Sequence, residues 1–206
     1  MDLPAQLARG IEALAIDVTA EQQRLLLEYL DLLVRWNKAY NLTAVRDPAQ
    51  MVTRHLLDSL AVAPYLEGER CIDVGTGGGL PGVPMAILFP ERELHLLDGN
   101  GKKTRFLFQV KTSLGLAKMS VHHARAESFS APPFNAVLTR AFASLAEMVE
   151  HCRHLLAPGG RFLAMKGVYP GEELSGVAQD CTVCAVHELR VPGLDEARHL
   201  VELALK

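Results

Sequence analysis

A glycine-rich segment at residues 73–82 constrains the fold of this chain more than any other feature. It reads Asp-Val-Gly-Thr-Gly-Gly-Gly-Leu-Pro-Gly, follows the apolar run 71–74 and precedes a helical pattern at 83–89. Glycines between a strand and a helix allow a tight turn and let the backbone approach a ligand closely. Because five glycines fall between 75 and 82, a plain tight turn is an insufficient explanation. The segment therefore predicts a cofactor-binding loop, and taken alone it fits NAD, a flavin or S-adenosylmethionine.

Short apolar runs alternate with helical patterns through the middle of the chain. Strands are predicted at 71–74, 93–97, 119–123, 136–139 and 161–166, with helices at 83–89, 102–114 and 145–156. This alternation predicts right-handed βαβ units and a parallel sheet covered on both faces. Two further strands at 182–189 and 199–205 are joined through Pro192-Gly193 without a helix, which favours an antiparallel pair at the sheet edge.

The first 66 residues are predicted to form a helical extension, and residues 67–206 the sheet-bearing domain, together making one compact unit. Thr19 with Gln22 is a capping-box signature, and Asp47-Pro48 marks a second helix start. Apolar residues recur at helical spacing after both signals, and no strand-like alternation is present.

Three acidic residues at predicted strand ends narrow the choice of cofactor. Asp73 precedes the loop, where a carboxylate would repel a pyrophosphate but suits a cofactor that carries an ammonium group. Asp98 ends the second strand, where an acid hydrogen-bonds a ribose diol. Glu127 follows the third strand and is placed to reach the adenine side. Together with a predicted Pro-Gly-Gly turn at 158–160 before the fifth strand, these acids predict the class I methyltransferase (Rossmann-like) α/β fold. They also predict S-adenosylmethionine as the cofactor.

Composition and charge exclude several other classes of protein. The formal net charge is −3, so any contact with nucleic acid must use a local basic patch. The first residues lack a signal-peptide pattern, and no apolar run approaches the roughly 18–20 residues of a membrane span, so we expect a cytoplasmic protein without membrane contact. Cys181 and Cys184 have zinc-like spacing, but no second close pair accompanies them, and no metal is predicted.

Seven ordered segments carry a more specific likeness. They are 36–43 (WNKAYNLT), 54–59 (RHLLDS), 73–82 (DVGTGGGLPG), 102–107 (KKTRFL), 140–144 (RAFAS), 165–167 (MKG) and 198–201 (RHLV). Through these segments the chain resembles, over nearly its whole length, the family of bacterial 16S rRNA guanine-N7 methyltransferases (RsmG/GidB). The resemblance implies methylation of N7 of one guanine, guanine 527, in the 530 loop of 16S rRNA, within the small ribosomal subunit or its precursor.

The resemblance also implies cofactor contacts at Gly75, Leu80, Ala126-Glu127 and Arg140. After Asp98 the family usually has a serine, whereas this chain reads Gly99-Asn100-Gly101. We expect an extra flexible loop there that alters cofactor affinity without abolishing binding. With the residues of the glycine loop, the predicted cofactor-binding set is Asp73, Gly75, Gly77, Gly79, Leu80, Asp98, Ala126, Glu127 and Arg140.

The predicted chemistry requires no general acid or base, because guanine N7 carries a lone pair and no proton. Alignment of the base with the methyl group is then the main requirement. Arg140 follows the fourth strand and is a candidate to hold the cofactor carboxylate, a phosphate or guanine O6. Phe142 is a candidate to stack on the target base, although core packing explains it equally well.

A local excess of basic residues provides candidates for RNA contact. Between residues 95 and 125 there are six Lys or Arg residues and one acid. Lys102, Lys103 and Arg105 at a helix start, together with Lys166, are predicted to meet phosphates, with a solvated helix face as the competing interpretation. Two other functions stay open: a methyltransferase for a small molecule or a protein, and an NAD-binding oxidoreductase or a non-catalytic nucleotide-binding module.

Overall fold

In the part of the chain that the structure describes, seven strands form a single sheet, in the spatial order β3-β2-β1-β4-β5-β7-β6. The computed structural model describes residues 2–140, 142–177 and 179–206. The strands are β1 (Arg70–Val74), β2 (Glu93–Asp98), β3 (Met119–His123), β4 (Phe134–Thr139), β5 (Leu156–Lys166), β6 (Cys181–Glu188) and β7 (His199–Leu205). Strands β1 to β5 pair in parallel, while β7 is antiparallel to both β5 and β6. The predicted fold class, a mostly parallel sheet closed by an antiparallel pair, is confirmed.

Helices cover both faces of the sheet. They are α1 (Leu3–Leu14), α2 (Ala20–Tyr40), α3 (Pro48–Met51), α4 (Asp58–Leu60), α5 (Gly82–Leu88), α6 (Gly101–Leu114), α7 (Leu145–Cys152) and α8 (Gly171–Val177), with a π-helical segment Val52–Leu57 between α3 and α4. Successive strand residues alternate between two hydrophobic clusters, as with Cys71 in one and Ile72 in the other. One cluster joins the sheet to α1, α2, α5 and α6, and the other joins it to α7 and α8.

The helical N-terminal part shares its core with the sheet. Thr19 and Gln22 form the predicted capping box, with Gln22 N donating to Thr19 Oγ1 at 3.2 Å and Thr19 N donating to Gln22 Oε1 at 2.9 Å. The Asp47 side chain accepts from Ala49 N at 3.1 Å, which caps α3. The division at residues 66 and 67 stays a prediction, because helices and sheet pack into one cluster here.

Strand β5 and helix α8 differ from expectation. The Pro-Gly-Gly stretch 158–160 was expected to be a turn before the strand, but it lies inside β5. Gly159 takes a positive φ of 76°, and the pairing of β5 with β4 shifts register at this point, so the strand absorbs the irregularity. Helix α8 was not predicted, because its seven residues carry two glycines and no clear apolar period. None of the helices in the described ranges is long and apolar enough to cross a membrane.

Candidate functional site

The carboxyl ends of the parallel strands meet at one edge of the sheet, where ligands bind in open α/β folds. Strand β1 runs into the glycine-rich loop there, and β2 ends at Asp98. Arg140 follows the end of β4, and β5 ends at Lys166. The sequence order alone places these residues together, because parallel strands present the same end to the same edge.

Helix α5 is tied to the start of the glycine loop through the side chain of Asp73. Its Oδ2 accepts from Thr76 Oγ1 at 2.6 Å and from Gly82 N at 2.8 Å. The loop backbone at Gly75, Gly77 and Gly79 has positive φ. At Gly79 a Cβ would also lie 2.5 Å from Val83 Cγ2, so only glycine fits there.

Burial makes Asp73 an unusual carboxyl group. The residue has no exposed surface, and its Oδ1 has no hydrogen-bond partner among the described residues. Burial raises the pKa of Asp73 to about 6, although the hydrogen bonds from Thr76 and Gly82 act in the opposite direction. Asp73 therefore organises the loop from beneath and does not line the cavities described below.

Helix α2 supports the loop from the other side. Tyr29 is fully buried and donates its hydroxyl proton to the backbone oxygen of Gly78 at 2.6 Å. Burial raises the pKa of Tyr29, which keeps the phenol protonated as a donor. The N-terminal helices thus contribute directly to the shape of the loop.

Asp98 is held by donors from the loop and from α6. Its Oδ2 accepts from Gly77 N at 2.9 Å and lies 3.7 Å from Lys103 Nζ, while its Oδ1 accepts from Asn100 N at 2.8 Å. A carboxylate has about four acceptor positions, so it retains capacity for a ribose diol. The sequence indicated the acid but not the two backbone donors and the lysine that fix its orientation.

A cavity of about 670 Å³ opens beside Asp98 and is within the usual size range of small-molecule sites. We call it the acidic cavity, because Asp98, Glu127 and Glu147 line it, with Arg125 as the one lysine or arginine among the described lining residues. An excess of carboxylates fits a cationic ligand and opposes a pyrophosphate. The rest of its lining is Val74, Gly75, Leu97, Gly99, Asn100, Gly101, Ala124, Ala126, Phe142 and His151.

Helix α7 brings a histidine to the acidic cavity that the sequence interpretation did not select. His151 Nδ1 lies 3.4 Å from Glu127 Oε1, and the His151 ring meets the Phe142 ring edge-on at 6.0 Å. No local pattern signals the pairing of His151 with Glu127, since the two residues belong to different elements.

The predicted cofactor residues separate into two groups in the structure. Those that line the acidic cavity are Gly75, Asp98, Ala126 and Glu127. Those that do not are Asp73, Gly77, Gly79, Leu80 and Arg140. Leu80 is a buried residue of the loop itself, whereas Arg140 lines a different cavity.

This second cavity, of about 390 Å³, lies beyond the ends of β4 and β5. We call it the arginine cavity, because its lining includes Arg54, Arg140 and Arg198; the other lining residues are Val45, His55, Asp58, Met165, Lys166 and Gly167. Asp58 accepts from Arg140 Nη1 at 3.2 Å and from Arg198 Nε at 3.0 Å. Asp58 and Arg198 lie in two of the family-like segments, yet no sequence pattern indicates that they pair with Arg140.

The four candidate RNA-binding residues have different surroundings. Lys102 and Arg105 are exposed on α6, where a phosphate has access to them. Lys103 leans toward Asp98 at 3.7 Å. Lys166 has only 13% of its side chain exposed and pairs with Glu173 at 2.8 Å, so its charge is largely compensated within the protein.

The segment 99–101 is not an extra loop, and that expectation is wrong. Asn100 is the N-cap of α6 and accepts from Lys102 N at 2.9 Å, while Gly101 is the first helical residue. Asparagine is a favoured N-cap because its side chain satisfies a free backbone N–H. The stretch therefore starts a helix that borders the acidic cavity.

The cysteines and histidines gather at no metal site in the described ranges. No group of three or more His, Cys, Asp or Glu side chains there is arranged to hold a metal ion. Cys181 is buried and Cys184 exposed, and both are free thiols.

Two comparisons of the sequence agree with each other. A family model described as rRNA small subunit methyltransferase G matches residues 22–201. A relative from Pseudomonas aeruginosa (strain LESB58), named Ribosomal RNA small subunit methyltransferase G, is 56% identical over 200 residues, covering 96% of this chain and 94% of the relative. A relative of the same name from Saccharophagus degradans is 55% identical over 196 residues, covering 94% and 88%.

Solved structures of low sequence identity share the fold. A SAM-dependent methyltransferase from Aquifex aeolicus superposes with a TM-score of 0.60 at 15% identity, over 76% of this chain and 93% of that one. A SAM-dependent methyltransferase from Geobacter sulfurreducens, in complex with S-adenosyl-L-homocysteine, gives 0.57 at 14% identity, over 85% and 98%.

Proposed function

Because the chain belongs to the rRNA small subunit methyltransferase G family, we propose that it methylates N7 of one guanine in 16S rRNA. By the family resemblance the target is guanine 527 of the 530 loop, in the small ribosomal subunit or its precursor in the cytoplasm. S-adenosylmethionine is the cofactor and supplies an electrophilic methyl group on a sulfonium centre.

The acidic cavity supports this cofactor. Asp98, Glu127 and Glu147 together suit a ligand that carries a sulfonium and an ammonium charge. We propose that Gly75, Asp98 and Ala126-Glu127 contact it, with Asp98 accepting from the ribose. Asp73, Gly77, Gly79 and Leu80 act by holding the loop in shape. The same excess of carboxylates argues against a dinucleotide, which disfavours the oxidoreductase alternative.

The titratable groups of the arginine cavity fit an RNA strand, while the choice of N7 itself rests on the family resemblance. Beyond the ends of β4 and β5 they are three arginines, Lys166, His55 and Asp58. Burial lowers the pKa of His55, and Asp58 is engaged by Arg140 and Arg198. Guanidinium groups stay protonated and accept no proton. Such surroundings suit an anionic RNA strand, and transfer of a methyl group to guanine N7 requires no proton acceptor there.

Phe142 is proposed to help position the guanine. It lines the acidic cavity, and Arg140, two residues earlier in the chain, lines the arginine cavity. A base stacked on Phe142 would lie beside the cofactor while its own strand reaches the arginines. Alignment of this kind accounts for about 7–11 kcal/mol of the barrier in well-oriented reactions.

The test is to supply purified protein with labelled S-adenosylmethionine and small subunits that lack this methylation, then to map the label by strand cleavage specific for N7-methylguanine. Label on one guanine of the 530 loop would support the proposal. Label at another rRNA position would keep the family and discard the site. No transfer to subunits or to naked 16S rRNA, from protein that binds the cofactor, would refute the rRNA substrate and favour a small-molecule or protein acceptor.

A further inference from the structure

Asp58 lies at the junction of three distant parts of the chain. It belongs to α4 in the N-terminal helices, whereas Arg140 follows β4 and Arg198 precedes β7. Only 2% of the Asp58 side chain is exposed, and its two oxygens face different arginines, Oδ2 facing Arg140 and Oδ1 facing Arg198. Arg140 and Arg198 keep 33% and 22% of their side chains exposed, so both reach the surface of the arginine cavity.

The charges around the arginine cavity are not compensated evenly. Arg54 pairs with Glu196 at 2.6 Å, and Lys166 pairs with Glu173 at 2.8 Å. Arg140 and Arg198, in contrast, share the single carboxylate of Asp58. Within that group of three residues, one positive charge is left over at the cavity surface.

We propose that Asp58 is a positioning residue that holds Arg140 and Arg198 side by side as a clamp for a backbone phosphate of the RNA substrate. This inference rests on the proposed function, because it takes RNA as the substrate. It assigns the N-terminal helices a part in substrate binding, since the residue that aligns the clamp comes from them.

The physical reason lies in the cost of holding two guanidinium groups together. The two like charges repel each other, and each long side chain loses rotamer freedom when it is held in one place. A buried carboxylate between them offsets the repulsion and already restricts both side chains before the RNA binds. The planar fork of an arginine then retains N–H donors with the geometry that phosphate oxygens accept.

Substitution of Asp58 separates this role from a merely electrostatic one. Asp58→Asn removes a negative charge near the proposed RNA surface, so by long-range attraction alone the variant would bind RNA more tightly. The positioning role predicts the opposite sign. Asp195→Asn is the matched control, because it removes the same charge from an exposed residue in the loop that leads to Arg198.

The experiment measures the Kd and KM for small subunits lacking the methylation, and separately the Kd for S-adenosylmethionine, in wild type and variants. For Asp58→Asn we expect the subunit Kd to rise about tenfold, as loss of a hydrogen bond to a charged group would cause, with cofactor affinity within about twofold. Asp195→Asn should bind subunits as well as wild type or better. Arg198→Ala should lower the slope of log Kd against log salt by about one, as loss of one phosphate contact does.

Subunit binding by folded Asp58→Asn that equals or exceeds wild type would overturn the proposal. If that variant does not fold, Arg198→Lys keeps the charge but loses the fork, and wild-type subunit affinity in it would overturn the proposal equally. An unchanged salt slope in Arg198→Ala would rule out a phosphate as the ligand. The proposed function is tested separately, by mapping the base that the wild-type enzyme methylates. A methylated base other than the expected one would contradict the proposed function and would leave the binding measurements on Asp58 and Arg198 unaffected.

Discussion

Replacing Asp73 with asparagine should make the stability of this protein less dependent on pH. The wild-type carboxyl group is fully buried, and burial raises its pKa from 3.8 to about 6. The folded state therefore binds a proton more tightly at this group than the unfolded state does. It follows that the group lowers the free energy of unfolding as pH rises through 3.8, and that this loss is complete above about pH 6.

The size of the effect follows from the two pKa values. A rise from 3.8 to about 6 corresponds to about 3 kcal/mol of stability in all. About 2 kcal/mol of this falls between pH 4.5 and 7.5, because the unfolded state is already mostly ionised at the lower limit. Asparagine keeps an oxygen for Thr76 and Gly82 and places an amide where Asp73 Oδ1 has no partner, so the variant should fold.

The assay is urea unfolding of wild type and Asp73→Asn without cofactor, at pH values from 4.5 to 7.5. The stability of wild type minus that of the variant should decrease by about 2 kcal/mol from the acidic to the neutral end. Because other groups titrate in both proteins, only this difference is interpreted. Asp17→Asn, at an exposed position between α1 and α2, controls for the loss of a charge. A difference that does not change with pH, or that grows toward neutral pH, would refute the reasoning.

Three further substitutions test the loop, the cofactor acid and a helix. Gly79→Ala should lower the free energy of unfolding by about 2–5 kcal/mol, because the residue has a positive φ and the new Cβ would lie 2.5 Å from Val83. Gly167→Ala is the control and should have the melting temperature of wild type, because nothing lies within 4 Å of its Cβ position. Equal melting temperatures for the two variants would contradict this reasoning. Asp98→Asn should raise the Kd for S-adenosylmethionine about tenfold in calorimetric titration, since it removes a charged acceptor, and an unchanged Kd would exclude it from the cofactor site. Gly176→Ala, also with nothing within 4 Å, should stabilise α8 by about 0.5–1 kcal/mol in urea unfolding, and a loss of stability would show that this glycine is required.

Local sequence patterns were sufficient to predict most of the strands and helices. Alternation of apolar runs with helical periodicity predicted the five parallel strands and the antiparallel pair, because the apolar period of a helix or a strand is set by residues close in sequence. The capping box at Thr19 and the cap at Asp47 were predicted for the same reason. Where local signals were weak, as in α8 and in the irregular start of β5, the prediction failed.

In the candidate site too, residues with a local sequence signal were predicted and long-range pairings were not. Parallel strands bring their carboxyl ends to one edge, so Asp98 and Glu127, which line the acidic cavity, were predicted from their places near strand ends, while Gly75 was predicted from the resemblance. The pairing of Glu127 with His151 and the position of Asp58 between two arginines were not found.

The sequence by itself determined the order of strands and helices along the chain, the glycine loop and the edge of the sheet where the candidate site lies. Only the tertiary structure decided which charges meet there. Asp58 is separated from Arg140 by 82 residues and from Arg198 by 140. Contacts of that range depend on how helices pack on the sheet, which no local spacing of residues encodes. A carboxylate in one helix and an arginine after a distant strand become partners only when the folded chain buries the carboxylate beside the guanidinium group.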